Sequence, residues 1–179
     1  MGKSGSGAKQ FIEWMTLNIP NCVKAPRYKG ASAELTTTNF VEAINNGEII
    51  EATVEEDGSV YGTNIKNLSP DYLYVYDYPL EARDCLRFCP DIELLTVSLY
   101  STEKIMLRRA IDLDWNSYES IEDFLKKVQK SERKNYNLEE TQCFIGCWHH
   151  KIKPKYILQK IKDYNDKYHV LSNLDNFIK

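Results

Sequence analysis

Apolar positions recur along this chain with two different periods, and the switches between them mark out the predicted elements. Phe11, Ile12, Met15 and Leu17 stand at helical spacing, so the pattern predicts a helix over residues 9–18, ended by Pro20. A polar stretch, 22–36, follows. Asn39 to Asn46 predicts a second helix, with Phe40, Val41 and Ile44 on one face and Gly47 as its stop. Glu48 to Val54 and Ser59 to Tyr61 read as two strands joined by the turn Glu56-Asp57-Gly58. Tyr72 to Tyr76, Ile92 to Leu99 and Cys143 to Cys147 are apolar runs of strand length. Helical patterns occupy 79–88, 101–110, 117–136 and 154–168, the last opening on Pro154.

Strands alternating with helices predict an α/β fold, a mostly parallel sheet flanked by helices. In such a sheet a ligand lies beyond the carboxyl ends of the strands. With 179 residues, the chain is expected to form a single domain over 1–179 with a substantial core.

Composition narrows the function. A net charge of −3 supplies no basic field to attract nucleic acid or an anionic membrane. No apolar run approaches a bilayer span and no signal peptide is recognisable, so a cytoplasmic protein with neither partner is expected. Five cysteines in a chain of this size suggest reduced thiols rather than a disulfide framework. Cys85 with Cys89, and Cys143 with Cys147 ahead of His149 and His150, raise the question of zinc. On a strand, however, Cys143 and Cys147 would stand about 13 Å apart, too far to share one ion. Buried thiols are the expectation, and no resident metal.

The chain opens on a glycine-rich run, Gly2-Lys3-Ser4-Gly5-Ser6-Gly7-Ala8-Lys9. Gly2 and Gly7 have the spacing of a loop that wraps backbone N–H groups around phosphates and opens a helix. Ala8 stands where such a loop carries lysine, and Lys9 where it carries a magnesium-binding Ser or Thr. Read alone, the run also fits a flexible Gly/Ser leader.

The segment Phe40 to Thr63 carries the most information: a helix, then Gly47-Glu48-Ile49-Ile50-Glu51, a hairpin, and Tyr61-Gly62-Thr63. Here the sequence resembles the guanylate kinase family. Lys24-Ala25-Pro26-Arg27 is similar to that family's Arg-x-Pro-Arg, and Gly2 to Gly7 to its glycine loop. Tyr72 to Asp77 is similar to the strand ending in Asp-x-Asp, with Val75 at the first aspartate. Ile92 to Ser98 and Glu119-Ser120-Ile121 resemble the last core strands and the lid. The likeness runs through residues 2–148 in family order.

That resemblance implies a P-loop kinase-like fold with a small β/α arm for a nucleoside monophosphate, about 23–66, and a lid, about 108–120. It implies transfer of the terminal phosphate of ATP to GMP or dGMP, with Mg2+. In that reading Gly2, Lys3, Ser4, Gly5, Ser6 and Gly7 hold the ATP phosphates, and Lys9, Arg108 and Arg109 are catalytic. Lys24, Arg27, Glu51, Tyr61, Thr63 and Asp77 bind GMP. Glu51 would accept hydrogen bonds from the guanine N1–H and 2-amino edge, whereas adenine presents a lone pair at N1. Thr63 would donate to guanine O6, and Tyr61, Arg27 and Lys24 would seat the phosphate.

Two further features depart from the family pattern. Ala8 and Lys9 weaken the triphosphate side, which keeps open a non-catalytic module that binds a nucleotide or phosphorylated peptide. Transfer to a different nucleoside monophosphate is a third reading. The family also has a buried strand before its glycine loop, where this chain has Met1. The expectation is a chain beginning partway through a larger ancestral domain, with residues 170–179 as a candidate to patch the gap.

Overall fold

The computed structural model describes residues 5–29, 37–54, 60–76, 80–114, 123, 126, 142–149 and 151–178. Expectations for Gly2, Lys3, Ser4, Asp77, the turn 56–58, His150, the lid past 114 and most of the 117–136 helix lie outside them. In chain order the elements are α1 (Ala8–Asn18), β1 (Cys22–Lys24), β2 (Tyr28–Lys29), α2 (Thr37–Asn45), β3 (Ile49–Val54) and β4 (Val60–Asn64). Then come β5 (Leu73–Val75), α3 (Leu80–Arg87), β6 (Val97–Tyr100), α4 (Glu103–Asp114), β7 (Cys143–Gly146), α5 (Pro154–Tyr168) and α6 (Leu174–Phe177). The chain divides into two compact units, Met1–Leu17 with Leu95–Leu171, and Asn18–Leu94 with Ser172–Lys179.

In the first unit α1 buries Ala8, Phe11 and Met15, the i, i+3, i+7 face of an amphipathic helix. Leu17 is 83% exposed, so the apolar stripe is narrower than the sequence pattern suggested. Strands β6 and β7 pair in parallel, Val97 opposite Cys143 through Tyr100 opposite Gly146. α5 packs on β7 and buries Ile157, Ile161 and Asn165, one position per turn. Its start is set by Pro154, whose missing N–H costs nothing there. Its end is set by His169 in the left-handed region (φ 50°), whose N–H reaches Asn165 O at 2.7 Å. The Asn165 amide then bonds both backbone groups of Leu171, closing the turn after the helix.

In the second unit β1 and β5 pair in parallel, Cys22 opposite Leu73 through Lys24 opposite Val75, and Ala25 N–H extends the ladder to Val75 O at 3.0 Å. An antiparallel three-stranded sheet, ordered β2-β4-β3, forms beside α2 and α3. Ala43 of α2 and Ile49 of β3 make a small core, with Val60 against it. Val41 and Ile44, expected inward, are 51% and 38% exposed. Ala43 takes their place because a methyl allows the helix close to the sheet.

Several other expectations change. The polar stretch 22–36 contains β1 and β2, strands too short to show a period-two pattern. Of the run 92–99 only its end is strand, in β6. The expected parallel sheet is, among the described residues, two separate parallel pairs, and the expected arm hairpin is part of the antiparallel sheet. Of residues 170–179, the described ones, 170–178, supply helix α6 rather than a strand. The result is an α/β fold with small parallel sheets and flanking helices.

Candidate functional site

Each unit holds one group of expected site residues. In the second unit the group sits on the antiparallel sheet. Glu51 of β3 lies directly opposite Thr63 of β4, and a bulge between Ile49 and Glu51 shifts the register just before that pair. A bulge of this kind re-aims a side chain. Tyr61, two residues before Thr63, shares its face of the strand.

The Glu51 side chain is fully buried. Its Oε1 accepts from Arg27 Nε at 3.1 Å and from Thr63 Oγ1 at 3.1 Å. Thr63 Oγ1 also lies 3.3 Å from Pro26 O, but a hydroxyl has one hydrogen and the charged, nearer acceptor is the stronger. The Arg27 guanidinium stands over the Tyr61 ring, 5.4 Å from its centroid. Arg27 arrives from the carboxyl end of β1, immediately after the β1–β5 ladder closes. Oε2 of Glu51 is buried and has no hydrogen-bond partner among the described residues. An ionised oxygen held dry and unpaired is costly, and a donor that fills it gains that cost back.

Arg27, Glu51, Tyr61 and Thr63 are therefore brought together. Lys24 is exposed at the end of β1. Thr63 differs from the sequence expectation in one respect: its hydroxyl hydrogen goes to Glu51, which takes it away from guanine O6.

In the first unit the glycine run leads directly into α1. Gly5 (φ 77°) and Gly7 (φ 98°) both occupy the left-handed region. A Cβ on Gly7 would lie 1.7 Å from Ile152 Cδ1, and one on Gly5 would lie 3.0 Å from Met106 Cβ. The first helical bond, Phe11 N–H to Gly7 O at 3.0 Å, places the helix N-terminus at the loop. Ser6 is buried, and its Oγ accepts from Ala8 N–H at 3.4 Å.

Arg109 of α4 holds this loop from behind. It is 1% exposed. Nη1 donates to Gly5 O at 3.1 Å, Ser6 O at 2.6 Å and Ser101 Oγ at 2.8 Å. Nη2 donates to Cys147 O at 3.0 Å and to His149 O. Ser101 Oγ in turn donates to Cys147 O at 2.9 Å. One planar fork thus ties the glycine loop to the ends of β6 and β7. In a trans peptide the N–H points opposite its C=O. With the carbonyls of Gly5 and Ser6 on Arg109, the N–H groups of Ser6 and Gly7 face away from it. Burial pulls the guanidinium below its ordinary value, with Cys147 acting in the other direction.

Arg108 and Lys9 are exposed, and Arg109 alone of the three expected catalytic cations is buried in this network. Burial raises the Cys143 and Cys147 thiols. Among the described residues no three His, Cys, Asp or Glu side chains group to hold a metal, and no helix is long and apolar enough to cross a membrane. Sequence reading missed Ser101 and the structural use of Arg109. The available signal was Arg109 three residues after Met106, a charge on the core-facing stripe of α4.

No protein-family model matches the chain, and no curated protein matches it in sequence. Among solved structures it is similar to the guanylate kinase of Anaplasma phagocytophilum. The TM-score is 0.53 at 14% identity, over 93% of this chain and 82% of that one. At that identity the likeness speaks to architecture, and the architecture is a guanylate-kinase-like fold.

Proposed function

We propose that this protein is a guanylate kinase-like phosphotransferase that moves the terminal phosphate of ATP to GMP or dGMP. The observation that carries the reading is Glu51 Oε2, a buried carboxylate oxygen with no partner among the described residues, in an arm that also holds Arg27, Tyr61 and Thr63. Guanine offers N–H donors to such an oxygen, and adenine offers a lone pair at N1. Arg27, Tyr61 and the exposed Lys24 seat the monophosphate, and Asp77 belongs to the same set by resemblance. Lysine at 24 keeps the charge and gives up the bidentate fork of arginine, so phosphate clamping is looser.

Phosphoryl transfer asks the protein for alignment, charge neutralisation and exclusion of water rather than covalent chemistry. On the ATP side this reading assigns backbone donors to the run Gly2, Lys3, Ser4, Gly5, Ser6 and Gly7, the N–H groups of Ser6 and Gly7 facing away from Arg109. Lys9 and Arg108, both exposed, are the cations that this reading assigns to the transferred group. Among the described loop residues none fits a resident Mg2+: Lys9 is a donor without a lone pair, and Ser6 Oγ is buried and accepts from Ala8 N–H. Mg2+ enters this reading as the counter-ion of ATP.

One observation favours a second reading. Ala8 presents a methyl where the loop needs a cation at the β- and γ-phosphates, which fits a non-catalytic module that binds a nucleotide or phosphorylated peptide through the arm. A coupled assay separates the two. GMP- or dGMP-dependent ADP production above the ATPase background supports the kinase. GMP binding with neither turnover nor ATP binding supports the module.

A further inference from the structure

The Glu51 carboxylate meets any base with its two oxygens in different states. Oε1 carries two donors, Arg27 Nε–H and Thr63 Oγ–H, each at 3.1 Å, and a carboxylate oxygen has two lone-pair directions to give. Oε2 has no partner among the described residues. The residue is 2% exposed, so water does not even out the difference, and a purine edge reaches Oε2 only as the groups covering it move aside.

We infer that the arm reads a purine through Oε2 alone, so that it selects 6-oxopurine nucleoside monophosphates as a class and discriminates weakly between guanine and hypoxanthine. The inference rests on the guanine-arm reading above and deepens it. A guanine edge presents two parallel donors, N1–H and the 2-amino group, which two free carboxylate oxygens would receive one each. With Oε1 saturated, N1–H takes the straight approach to Oε2. The 2-amino group is left with an angled share of the same oxygen, and hydrogen bonds weaken as they bend. Hypoxanthine has the N1–H and lacks only the 2-amino group, so it loses the weaker contact. Adenine has no hydrogen at N1 and brings its lone pair against Oε2, leaving a buried acceptor unmet.

Calorimetric titration of the full chain with GMP, IMP and AMP tests this. The expected result is GMP and IMP affinities within about tenfold of each other, and AMP weaker than both by about a hundredfold or more. GMP binding with IMP lost to the level of AMP overturns the single-oxygen readout and leaves the guanine arm standing. Equal binding of all three, or of none, overturns both.

Discussion

Thr63 and Glu51 face each other across adjacent antiparallel strands, and the threonine hydroxyl donates to the glutamate carboxylate at 3.1 Å with neither side chain open to water. A cross-strand pair of this kind fixes the rotamer of the carboxylate as well as its charge. Replacing Thr63 with valine keeps the shape and removes the donor. The T63V variant is expected to lose about 1 kcal/mol of stability by thermal melting. It should also bind GMP several-fold more weakly, since the carboxylate would be less firmly aimed.

Gly7 is constrained twice, by its left-handed backbone and by Ile152 lying where a Cβ would be. Gly7→Ala is expected to cost about 2 kcal/mol or more. Adding Ile152→Ala should recover the steric share and leave the backbone strain. Denaturant unfolding of the single and double variants measures the difference.

Arg109→Met would leave the carbonyls of Gly5, Ser6, Cys147 and His149 without a donor they now share. The expected loss is about 3 kcal/mol or more. Arg109→Lys, which keeps the charge but not the fork, is expected to fold better than the methionine variant while binding ATP more weakly than wild type. Unchanged ATP affinity in a folded Arg109→Lys protein would contradict the positioning role.

Burial pushes the Cys22 thiol up from 9.0 to about 11. The folded protein therefore keeps its proton where the unfolded chain loses it. This contribution is fully present below pH 9 and disappears as pH rises from about 9 to about 11, at about 1.4 kcal/mol per pH unit. A melting series across that window should show the decline, and it should flatten in Cys22→Ala. In thiol labelling at pH 8, the exposed Cys85 should react well before the buried Cys22, Cys143 and Cys147.

Much of the arm was legible in the sequence because its signals are local. Gly47 stops α2, and the two halves of the hairpin carry Glu51 and Thr63 at a spacing that pairing makes adjacent. The consequences of pairing were not legible. That Thr63 would spend its hydrogen on Glu51, or that Arg27 would cross the sheet to the same oxygen over the Tyr61 ring, depends on contacts 12 and 24 residues apart in the chain. Arg109 escaped for a related reason: it reaches Gly5 and Ser6 from more than a hundred residues away. Strands β1 and β2 were hidden by their length, because three and two residues cannot display a period.

The central claim is that the Glu51 carboxylate reads the base, and titrating GMP into wild type and Glu51→Gln tests it most directly. The amide keeps the size of the side chain but replaces a charged acceptor with a group that also carries N–H donors. The expected result is saturable GMP binding by wild type and a loss of about a hundredfold or more in E51Q, with matching circular dichroism spectra. GMP affinity unchanged by the substitution would contradict the account.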